Sequence, residues 1–288
     1  MMENIFGYAM RKLIYSGKLK KAAVILVVFG MLITVGEAWS VWRYEEYLSQ
    51  ASMHFEPASP LALWVGYSMF SAVFGIDWST AVIQTAWEVF PLMVIPLFLG
   101  LCGTELYNED RKAGVSEILY IRCRRGSYYW QQGTAAAVCV SILIALYLLV
   151  QLGLSIPVTF CLKDWGIGFS SYTWDIKEIG SVLSAICRQC LFYGAITLFT
   201  YSISLYMGRF QNAVVMLPLV LSLSSYMIFL RCFQCSPHMM AYVEPKLAHP
   251  NISVYVYFIL GLTVLSFFLL WMKQHLWTKK DCLNEVLR

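Results

Sequence analysis

The chain has 288 residues, of which 59% are hydrophobic and 13% charged, with a formal net charge of +4. Ordinary soluble domains carry roughly a quarter charged residues, and the apolar segments here run from near the first residue to near the last, so a sizeable soluble domain is excluded and one membrane domain over residues 1–288 is expected. The positive charge does not indicate nucleic acid, because the basic residues sit mainly beside apolar segments, where they act as topology signals and contacts for anionic lipid.

Residues 1–21 come first. Phe6, Ala9, Met10 and Leu13 recur at helical spacing, Ile5 and Ile14 widen the stripe, and Arg11, Lys12 and Lys18 lie alongside. That pattern predicts an amphipathic helix in the inner membrane interface. Ser16 and Gly17 offer a bend before the first span, Ala22 to Val41, whose apolar run is too long for a cleaved signal and reads as a retained anchor. Five further spans follow: Val82 to Gly103, Gly133 to Pro157, Val182 to Met207, Asn212 to Leu230 and Ser253 to Met272. Each suits a hydrocarbon core of roughly 30 Å.

Leu61 to Ile76, within an outer loop over 42–81, is uncharged and aromatic enough to be weighed as a seventh span. Topology decides against it. Six crossings put the N-terminal basic residues, the loop 105–132, Arg209 and the tail 273–288 on one side, leaving Arg43, Lys163, Lys177, Arg231 and Lys246 on the other. That bias of about three to one obeys the positive-inside rule. Leu61 to Ile76 is then an interfacial or re-entrant element. The expected fold is all-α: a polytopic membrane protein with six transmembrane helices, an N-terminal interfacial helix and a cytoplasmic coupling helix, multi-pass in the plasma (inner) membrane with both termini cytoplasmic.

The loop 105–132 carries the sharpest local pattern. Val115, Ile118 and Leu119 share one face of a short helix, with Glu117, Arg122 and Arg125 around it, an arrangement that grips a partner by its apolar ridge while charges set orientation. In the order Glu109, Gly114, Glu117, Ile118, Leu119, Arg122, Arg125, the chain resembles the ABC-2 type permeases, the membrane subunits of a group of ABC transporters. The six spans, the amphipathic N-terminal helix and the cytoplasmic termini belong to the same resemblance. It departs in one place: the Pro frequent near the basic turn is replaced by Ile121-Arg122-Cys123-Arg124.

The resemblance implies that Gly114 to Arg122 is the coupling helix, seated in a cleft of an ABC ATPase subunit. It also implies a homodimer or heterodimer with a second permease subunit, and export of a hydrophobic or amphipathic drug, lipid or peptide. No motor is expected in this chain, because Ser16-Gly17-Lys18 lacks the glycine spacing and the hydroxyl of a P-loop. ATP and Mg therefore belong to the partner, and no cofactor is expected here.

Three charges fall within or at the edge of spans: Glu37, Glu88 and Arg188. Such groups face protein or water and pair with one another, so Arg188 is expected to pair with Glu88 or Glu37, or each to reach the outer headgroups alone. Pro91, Pro96, Pro157 and Pro218 are expected to break helix hydrogen bonds locally. Cys232 and Cys235, and likewise Cys187 and Cys190, have C-x-x-C spacing compatible with a disulfide or a metal, but neither pair has a His partner at finger spacing, so no metal site is assigned. No H-E-x-x-H or G-x-S-x-G is present and the four histidines are scattered, which argues against an enzyme. The alternative from another class is a non-transporting immunity or sensor protein that binds an exterior peptide or a membrane partner.

Overall fold

The computed structural model describes residues 5–15, 17, 19–28, 30–32, 95, 98, 100, 109–110, 125–164, 176–207, 214–221, 224 and 251–286. The described residues are helical apart from short turns, with no strand among them. Four helices have defined bounds: α1 (Ile5–Tyr15), α2 (Arg125–Asp164), α3 (Ile176–Ser204) and α4 (Asn251–Val286). Two stretches among the described residues, Tyr128–Val150 of α2 and Val256–His275 of α4, are long and apolar enough to cross a membrane.

Two packed levels fix how the segments run. At one level, Ile5 of α1, Tyr128 and Tyr129 of α2, Leu198, Tyr201 and Leu205 at the end of α3, and Leu270 of α4 form one cluster. At the next, Val140 and Ile144 of α2, Ile186, Phe192 and Ile196 of α3, and Leu262 of α4 pack with Leu26 and Ile95. Thus α2 climbs from the first level to the second, while α3 and α4 both descend. Two neighbours running the same way require the chain to return between them. Between them in sequence, Leu221 packs against the second level. Ile95 lies at the second level and Asp110 meets Tyr128 at the first.

Small residues let α2 and α3 approach. Gly133, Ala137 and Ser141 follow at four-residue spacing on α2 and so line one face, the pattern that brings apolar helices together without a water-driven hydrophobic force. A Cβ on Gly133 would lie 2.8 Å from the Tyr201 ring, and one on Gly194 of α3 would lie 2.7 Å from the Ser141 Oγ. Ser141 donates across the pair to the Cys190 carbonyl at 3.0 Å. A third contact of this kind joins the unlabelled helical stretches, where a Cβ on Gly100 would run into the Val215 backbone carbonyl.

Most hydroxyls on these helices return to their own backbone. Thr197 donates to the Tyr193 carbonyl at 2.8 Å, Thr200 to Ile196 at 2.8 Å and Ser266 to Leu262 at 2.6 Å, so these polar groups are buried without an unmet bond. The ends of α3 and α4 are joined differently. Lys273 is 3% exposed and donates to the Leu205 carbonyl at 2.8 Å, while Tyr206 donates back to the Leu269 carbonyl at 2.5 Å. A cation on carbonyls left over at a helix C-terminus is favourable both as a hydrogen bond and against the helix dipole.

Three expectations change. Lys273 is not the first residue of a solvated tail, because the helix continues to Val286 and its ammonium serves the end of α3. The apolar stripe of α1 is turned to protein: Ile5, Ala9 and Leu13 are buried, the last two against Ala135, Ala136 and Cys139. The helix α2 runs past Pro157, where the expected span stops, to Asp164, since a single missing N–H leaves the neighbouring turns bonded. The segment Leu61 to Ile76 and the outer loop 42–81 around it lie outside the described residues.

The glycines separate packing from propensity. Gly133→Ala is expected to destabilise by about 1–3 kcal/mol through overpacking against Tyr201. Gly153→Ala and Gly261→Ala, with nothing within 4 Å, should be neutral or stabilising by up to about 1 kcal/mol from helix propensity. Thermal unfolding of the three purified variants in one detergent checks this ordering.

Candidate functional site

Asp110 is a carboxylate withdrawn from solvent, 1% exposed. An ionised carboxylate is buried at acceptable cost only when its oxygens are filled with donors and a cation stands close. Asp110 has both. Its Oδ1 accepts from the Lys12 ammonium at 2.5 Å and from the Tyr8 hydroxyl at 3.4 Å. Its Oδ2 accepts from the Tyr128 hydroxyl and the Gln132 side-chain amide, each at 2.8 Å.

The donors are arranged by helix spacing. Tyr8 and Lys12 stand four residues apart on α1, and Tyr128 and Gln132 four apart on α2, so each pair presents one face. Gln132 has its amide orientation fixed from both sides, since its Nε2 donates to Asp110 while its Oε1 accepts from the Tyr201 hydroxyl of α3 at 2.8 Å. Beside it, Gln131 accepts from the Phe6 backbone N–H at 3.1 Å, supplying one of the bonds that the first turn of α1 cannot make within itself. One carboxylate thus ties α1, the helical residues 109–110, α2 and, through Gln132, α3.

The predicted site residues are distributed unevenly around this centre. Glu109 is its immediate neighbour and lies 3.5 Å from the Lys12 ammonium, with its side chain 44% exposed. Arg125 begins α2, and nothing further is described of its side chain. Gly114, Val115, Glu117, Ile118, Leu119 and Arg122 lie outside the described residues, as do Glu37, Glu88, Cys232 and Cys235. Arg188 is half-buried on α3. Cys187 and Cys190 are free thiols rather than a disulfide, Cys187 exposed and Cys190 half-buried. Among the described residues no cluster of three or more His, Cys, Asp or Glu is placed to hold a metal ion.

Asp110 itself is not among the expected site residues. In sequence it sits in the charged run Glu109-Asp110-Arg111 and reads as part of a solvated loop. The usable signal was the complementary one: two Tyr-containing pairs at four-residue spacing, Tyr8 with Lys12 and Tyr128 with Gln132, supply more donors than an apolar interface needs. Comparison with models of protein families, with curated proteins and with solved structures finds no match.

Removing one partner of a buried charge costs more than removing one bond. Asp110→Asn is expected to destabilise by about 3–5 kcal/mol, and Tyr128→Phe by about 1.5–3 kcal/mol, the range for a hydrogen bond to a charged group. Both figures are checked by denaturant unfolding in detergent. A double-mutant cycle between the two positions should show strong non-additivity, because both act on the same oxygen.

Proposed function

We propose that this chain is the membrane-spanning permease subunit of an ATP-driven transporter of the ABC-2 type, exporting a hydrophobic or amphipathic substrate. ATP and Mg are bound by a separate ABC ATPase subunit, and two permease subunits, identical or related, complete the pathway. The observation that carries the reading is that the chain is tied across the expected coupling segment: Asp110 before it is hydrogen-bonded to Tyr128 and Gln132 in the first turns of α2 after it, at 2.8 Å each.

The mechanism follows from that tie. Closing of the ATPase subunits on ATP moves the coupling helix, Gly114 to Arg122, and the displacement passes through Asp110 to the ends of α1, α2 and α3 together. Nucleotide binding then biases an equilibrium between states of the bundle, since a partner shifts an equilibrium only by binding one state better. The six-crossing arrangement draws support from the opposite directions of α2 and α3 and from exposed apolar rows, among them Val24, Val28 and Met31, and on α4 Tyr257, Val264 and Trp271. Rows of this size suit lipid better than water.

The test is isolation of the tagged chain from its native membrane in mild detergent, with analysis of its companions and of Mg-ATP hydrolysis. A P-loop companion with ATPase activity is expected. Ile118→Asp or Glu109→Lys should release or uncouple it, lowering copurification or stimulated hydrolysis about tenfold or more, as for loss of an interface anchor, while helical content stays unchanged. Intact assembly and transport in both variants would overturn the reading.

A further inference from the structure

Because the buried face of α1 is committed to α2, its opposite face is left for another partner. Arg11, Ile14 and Tyr15 occupy that face at three- and four-residue spacing, with Ile14 48% and Tyr15 75% exposed. The next helical stretch repeats the division. Ala22 and Leu26 are buried four residues apart, while Lys20 and Val24 share the reverse side, Val24 being 63% exposed. Lys20 stands over the Tyr15 ring at 5.9 Å, which brings the two outward faces together, and Lys21 is exposed beside it.

The composition of this surface is specific in kind. Three cations and a tyrosine cluster at one end of an exposed apolar strip that continues through Val24, Val28 and Met31. Basic side chains with long apolar stems at the foot of an apolar strip match the two chemistries of an anionic phospholipid: phosphate oxygens at the headgroup and acyl chains above it. A tyrosine at that level belongs with the amphipathic rings found at membrane–water boundaries.

We propose that Arg11, Lys20 and Lys21, with Tyr15, form a binding surface for anionic phospholipid headgroups, and that Ile14 and Val24 meet the first part of the acyl chains. The surface rests on the membrane reading of this fold and is independent of the transport reading. Its placement gives it a consequence for the buried site. Lys12, next to Arg11 on the same helix, holds Asp110. Lipid on the outward face therefore favours α1 in its docked position, and with it the pinned base of the loop 105–132.

The experiment reconstitutes the full chain in nanodiscs of phosphatidylcholine mixed with phosphatidylglycerol, releases it, and measures by native mass spectrometry which lipid it retains. The wild-type chain is expected to retain phosphatidylglycerol preferentially. Arg11→Gln, Lys20→Gln and Lys21→Gln should each lower that preference about fivefold, the factor for roughly 1 kcal/mol per basic residue beside an anionic surface. The preference should also fall as salt is raised during reconstitution. A preference unchanged in the triple variant or insensitive to salt overturns the proposal. So does a triple variant that keeps its lipid but loses an ATPase companion, which would assign the face to protein. A chain that fails to insert in discs of either lipid overturns the membrane reading and this proposal with it.

Discussion

The structure depends on the burial of one carboxylate. Placing Asp110 at 1% exposure costs several kcal/mol unless the charge is matched, and matching it requires groups from α1 and α2 to converge on two oxygens. That requirement fixes more than a pair of contacts. It sets the height of α1 against α2, the rotation of α2 that aims Tyr128 and Gln132 inward, and the closeness of α3, whose Tyr201 completes Gln132. An apolar interface tolerates sliding. A filled carboxylate does not, because each lost donor leaves a buried lone pair unmet.

Around this centre, packing and polarity divide the labour. The middle of α2 and α3 is joined through shape, with Gly133 and Gly194 admitting the Tyr201 ring and the Ser141 hydroxyl where any side chain would collide. Their serines and threonines mostly bond within their own helix and add little between helices. The ends are joined through directional bonds: Lys273 to Leu205 and Tyr206 to Leu269 between α3 and α4, and the Asp110 network between α1, α2 and α3.

Seen this way, the base of the loop 105–132 and the helix α1 form one mechanical unit. The helix α1 supplies the cation for Asp110 and also carries the exposed Tyr15. The two proposed influences, a partner subunit acting on the loop and lipid acting on α1, would meet at the same buried charge. Coupling between two such inputs requires only that both favour the same docked arrangement.

Composition and periodicity alone determined the helical class, the apolar character of the segments and the amphipathic stripe of α1, because these depend on which residues recur at which spacing and not on what they touch. The length of α2 and α4 beyond the apolar runs was not legible, since Pro157 and Lys273 look like ends until the neighbouring helix is present. Nor was the partner of the α1 stripe, because an apolar face suits lipid and protein equally. Asp110 was hidden for the same reason: a charged run reads as solvated, and only tertiary structure brings Lys12 from nearly a hundred residues away to make its burial affordable. Sequence fixes what each side chain can offer, while the fold decides which offers coincide, because electrostatic and hydrogen-bond energies depend on distances that no local spacing encodes.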